Sequence, residues 1–69
     1  MTPHAKAIDL FNEYYSYLKA NLMYDEEAKE DAKQCSLIAI DELIYETQFE
    51  VPNIRQRYWE EVKKELELL

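Results

Sequence analysis

Arg55, Arg57, Tyr58 and Trp59 put two guanidinium groups beside two large aromatic rings within five residues. A cation next to an aromatic face can hold a phosphate while the ring stacks on a base, the combination by which single-strand binders grip a nucleotide. Lys33, Gln34 and Asp41, earlier in the chain, add a further phosphate donor, an amide able to read a base edge and a carboxylate able to accept from a base or ribose. These seven residues form the candidate ligand-binding set. The plainer alternative is that Tyr58 and Trp59 belong to the core and the arginines are solvated.

Catalytic chemistry finds little to use. Glycine is absent, and His4 and Cys35 are the single residues of their types, so no glycine-rich phosphate loop and no Cys-x-x-Cys pair exists. A Ser-His-Asp or Cys-His arrangement would depend on His4, which falls in the first turn of a helix and is poorly held there. Glu26 with Glu30, and Glu42 with Glu46, are spaced to share helix faces. A di-iron bundle would need a histidine three residues after a ligating glutamate, and none follows either pair. The expectation is a protein that is not an enzyme and carries no cofactor or metal.

Charge narrows the partners. Fifteen acidic against eight basic residues give a net charge of −7, which repels phosphate at range and argues against direct nucleic-acid binding. No apolar run approaches the roughly 20 residues of a membrane span. Met1-Thr2-Pro3-His4 lacks the basic-then-apolar pattern of a secretory signal, and the lone Cys35 suits a reducing compartment, so a cytoplasmic protein without a membrane partner is expected. Cys35 itself reads as a small buried hydrophobe.

The elements that must position these side chains are helical. Without glycine the favoured hairpin turns lose their usual source of positive φ, which disfavours sheets. Apolar spacing then marks three helices. The first is expected from Thr2 as N-cap, with Pro3 in the first turn, to about Ala20. Its stripe is Ala7, Leu10, Phe11, Tyr14, Leu18 and Leu22, at three- and four-residue intervals. The second opens on Asp25-Glu26-Glu27, suited to the positive end of a helix dipole, and runs to about Thr47 as the long central element. On it Ala28, Ala32, Cys35 and Ala39 make a strip of small side chains beside the bulkier Leu37, Ile40 and Ile44. Its remaining arc mixes Gln34, Asp41 and Glu42 with Ile38 and Tyr45, too apolar for a purely solvated face and hence a candidate contact surface. The third helix is expected to start near Pro52 or Asn53, where Asn53 and Gln56 have the spacing of a capping box, and its stripe is Ile54, Tyr58, Val62, Leu66 and Leu69, widened by Trp59.

The result is one all-α domain over residues 1–69, a small three-helix protein. For a chain of this size, apolar burial and conformational ordering nearly cancel, and neither a disulfide nor a metal is there to help. Self-association is the remaining source of stability, so a homo-oligomer is expected.

Two blocks carry a resemblance. Ala32-Lys33-Gln34-Cys35-Ser36-Leu37-Ile38-Ala39-Ile40-Asp41-Glu42-Leu43-Ile44 and Tyr58-Trp59-Glu60-Glu61-Val62-Lys63-Lys64-Glu65-Leu66 resemble a group of very short proteins of tailed phages and prophages. The pattern of that group runs A-K-Q-C-A-L-I-A-V-D-E-I, then a variable loop, then Y-W-Q-E-V-K-Q-E-I. The blocks cover about a third of the chain, with Ser36 in place of the usual alanine and Glu60 in place of glutamine. The resemblance implies a phage accessory protein that binds something of the host. Two partners follow as expectations. One is a nucleotide second messenger, sequestered by a homo-oligomeric sponge that counters host defence. The other is a basic host protein, inhibited by the acidic helices around Glu26, Glu27, Glu30 and Asp31 in the manner of some anti-CRISPR proteins or DNA mimics.

Overall fold

A computed structural model describes residues 1–21 and 24–69. The described residues form three helices, α1 (Pro3–Ala20), α2 (Asp25–Thr47) and α3 (Ile54–Glu67), and no strand. The predicted place of Leu22 on the α1 stripe lies outside the described residues.

Local chemistry sets most of the boundaries. The Thr2 hydroxyl accepts from the Ala5 N–H at 3.1 Å with Pro3 following, the expected cap of α1. At the other end the Asn21 side-chain amide donates to the Tyr17 carbonyl at 2.7 Å. Tyr24, the N-cap of α2, makes no side-chain cap bond, and the first turn instead carries Asp25, Glu26 and Glu27 against the exposed N–H groups. The Asn53–Gln56 capping box does not form. Asn53 Oδ1 accepts from Arg57 Nε at 3.2 Å, so its oxygen is engaged one turn too far along to cap α3.

Each helix packs on both others. Met1 meets Tyr58 and His4 meets Glu65, so α1 and α3 run parallel, whereas Asp41 meets Lys63 and Lys33 meets Glu67 farther along α3, so α2 runs antiparallel to α3 and hence to α1. The start of α1 is level with the middle of α3, where the Tyr58 hydroxyl donates to the Met1 carbonyl at 3.0 Å. The α2–α3 corner, residues 48–53, therefore extends past the start of α1.

The core is thin. Ala7, Ile40, Val62 and Leu66 are fully buried and form one cluster, with Leu10, Phe11, Leu37 and Leu43 packed partly against it. Ala28 and Ala32 are also fully buried, as the small-residue strip of α2 predicts. That strip turns at Cys35, which is only half-buried, while its neighbour Ser36 is fully buried. A 100° step separates the two positions. Ser36 is tolerated inside because its hydroxyl donates to the Ala32 carbonyl at 2.7 Å.

Candidate functional site

The seven candidate residues do not converge. Lys33 Nζ donates to the Glu67 carbonyl at 3.0 Å, satisfying one of the free carbonyls that end α3. Arg57 stands ten residues earlier on the same helix, about 15 Å away along the axis at 1.5 Å per residue. Lys33 and the arginines therefore mark opposite ends of α3.

Each candidate cation has a partner within the chain. Arg55 binds Glu50 Oε2 through Nε at 3.1 Å and a terminal nitrogen at 2.5 Å, and Arg57 is held by Asn53. Asp41 pairs with Lys63 at 2.8 Å across α2 and α3, a contact that pushes the Lys63 ammonium above its ordinary value. Gln34 is exposed on the outer face of α2. Tyr58 and Trp59 are half-buried, lie edge to face at 5.0 Å between ring centroids and pack against the core cluster. Their aromatic faces are engaged with the core rather than held open for a base.

A polar cluster that the sequence reading did not single out closes the α1–α2 end. The Tyr15 hydroxyl donates to Asp25, whose carboxylate also meets Lys29 at 3.2 Å and Lys19 at 3.7 Å. The Tyr15 hydrogen bond, then Lys29, holds the Asp25 carboxyl below the ordinary carboxylate range, and the same bond raises the Tyr15 phenol. The Asp25 bond likewise raises Lys29. Only the Asp25–Lys29 pair was legible in advance, through its i,i+4 spacing.

Counting charge by partner separates the two signs. Lys6, Lys19, Lys29, Arg55, Lys63 and Lys64 pair with carboxylates, Lys33 with a backbone carbonyl and Arg57 with an amide, so all eight basic side chains are engaged. Six carboxylates take part in these pairs or face His4, and the remaining nine of fifteen meet no cation among the described residues. Six of those nine are on α2: Glu26, Glu27, Glu30, Asp31, Glu42 and Glu46, all exposed.

The outer face of α2 changes character along its length. Projected at 100° per residue, Glu27, Asp31, Gln34, Ile38, Glu42 and Tyr45 line the side opposite Ser36 and Leu43. Its first half is acidic, and its second half exposes Ile38 and Tyr45 in an open hollow of about 550 Å³ shared with Asp41, Glu42 and Glu46. A second hollow, of about 370 Å³, lies between Phe11, Lys29, Lys33, Leu69 and two glutamates.

No three His, Cys, Asp or Glu among the described residues are placed to hold a metal ion, and no helix among them is long and apolar enough to cross a membrane. No family model, no curated protein and no solved structure matches the chain.

Proposed function

We propose a non-enzymatic binding protein that acts as a homo-oligomer and presents the acidic first half of α2 to a basic surface of a partner protein. The observation that carries this reading is the division of charge: the chain's own partners engage every lysine and arginine, while Glu26, Glu27, Glu30 and Asp31 stand exposed without cations. Acidic groups arranged along a rigid helix steer onto a basic partner and set its orientation at encounter. In this reading, which the phage resemblance of the two sequence blocks supports, the protein acts in an infected host's cytoplasm as an inhibitor that covers a nucleic-acid-binding or other basic site of a defence protein.

Reversing Glu27, Glu30 and Asp31 to lysine should abolish capture of that basic partner from host lysate while leaving the helical circular dichroism unchanged. Binding by the native chain should weaken steeply with added salt. Retention of the same partner by the triple variant would refute the reading.

The nucleotide-sponge reading has one observation in its favour. Lys29, Lys33 and Phe11 line the same smaller hollow, so cations and an aromatic ring border one space. Titration calorimetry against a panel of cyclic and linear nucleotides, repeated with Lys33→Ala, separates the two readings, since a sponge requires saturable nucleotide binding that this substitution weakens.

A further inference from the structure

The α2–α3 corner is the most apolar exposed part of the molecule. Tyr45 is 68% exposed, Phe49 81%, Val51 96% and Ile54 66%, all within ten residues of sequence, and Ile38 on the adjoining face of α2 is 62% exposed. Tyr45 and Phe49, aromatic side chains of about 150–250 Å² each, together with the smaller Ile38, Val51 and Ile54, expose on the order of 500 Å². That lies toward the upper end of the largest apolar patch usual on a monomer. It also matches the apolar share, near 60%, of the roughly 800 Å² that each partner buries in a standard interface.

The rest of the molecule points the same way. It exposes 5,008 Å², where a self-standing monomer of this mass exposes about 4,600 Å². Its radius of gyration is 12.8 Å against about 11 Å for a compact chain of this length, with extents of 43 × 19 × 16 Å.

Charge identifies the occupant. The α2 side of the corner carries Glu42 and Glu46, which have no cation among the described residues, and the α3 side carries Arg57, whose partner Asn53 is neutral, beside Arg55 in its pair with Glu50. A patch with an acidic flank on one side and a basic flank on the other is complementary to its own copy rotated by a two-fold axis. We infer that the corner is a self-association surface and that its occupant is a second copy of this chain, corner to corner. Phe49 and Tyr45 would lie at the centre, with Glu42 and Glu46 of each copy over Arg55 and Arg57 of the other. This deepens the oligomer part of the proposal above by naming its surface, and it leaves the acidic first half of α2 in both copies free.

Sedimentation equilibrium of the full chain tests it. The native chain should be a dimer at micromolar concentration, and Phe49→Glu should weaken association about tenfold or more with helical circular dichroism retained. Glu46→Arg and Arg57→Glu should each weaken self-association, and an equimolar mixture of the two chains should recover it, because each repulsive pair is then replaced by an attractive one. A native chain that is monomeric throughout would overturn both the oligomer and its interface. A native oligomer that Phe49→Glu leaves intact would overturn the corner alone. Failure of the mixture to recover association would overturn the two-fold arrangement of the flanks.

Discussion

Asp25 gathers more polar contacts than any other carboxylate among the described residues, receiving the Tyr15 hydroxyl and facing Lys29 and Lys19. Its lowered folded-state value means that its contribution to stability is present above the ordinary carboxyl value near 3.9 and is lost as pH falls through the folded one. Tyr15, Lys29 and Lys63 are raised, so their contributions are present below their ordinary values, near 10, and are lost as pH rises through the folded ones. Thermal melts should therefore show a plateau across neutral pH with a fall on either side. Asp25→Asn should lower the plateau and make the acid limb shallower; an unchanged acid limb would show that other carboxylates govern acid unfolding. Lys33→Ala removes the bond to the Glu67 carbonyl and should cost about 0.5–1.5 kcal/mol in urea unfolding, with helicity lost first at the end of α3.

At the scale of elements, stability rests on a few side chains at the three-way contact. Ile40 is fully buried in the cluster with Ala7, Val62 and Leu66, and Ile40→Ala should cost about 2–5 kcal/mol, a large share of what a domain this small possesses. Loss of the cooperative melt in that variant is the expected outcome, and a melting temperature within a few degrees of native would contradict it. The helices themselves were legible because their limits are written in local chemistry: Thr2 before Pro3, three acids at Asp25, Pro52 after the α2 stripe. The choice between Cys35 and Ser36 for the inside was not legible, since it depends on the angle at which α1 and α3 settle on α2 and on a hydroxyl finding the Ala32 carbonyl. The candidate site was readable only as residue types. Arg55 was intercepted by Glu50 and Arg57 by Asn53, neighbours five and four residues away, whereas Asp41 was intercepted by Lys63, a pairing set by how α2 and α3 meet rather than by spacing along the chain. The outward position of Gln34, Ile38, Asp41, Glu42 and Tyr45 was readable, because helical period alone puts them opposite the buried strip.

For the whole molecule, the thin core and the excess surface make folding and association interdependent. If the second copy supplies part of the stability, the melting temperature should rise with protein concentration, and the Phe49→Glu chain should melt lower and without that dependence. A native melting temperature constant over a hundredfold range of concentration would separate folding from assembly. The acidic half of α2 and the apolar corner sit at different ends of the same 23-residue helix, so partner capture and self-association can be altered one at a time.

Cys35 supplies a clock for the opening of this structure. The chain's one thiol lies half-covered in a hollow with Tyr14, Ile38, Ala39 and Glu42, at the seam where α1 rests on α2. A maleimide or disulfide reagent reaches that sulfur faster when Tyr14 swings away, so labelling rate reports how often α1 lifts from α2. With no competing thiol, a single-exponential trace reads that one seam.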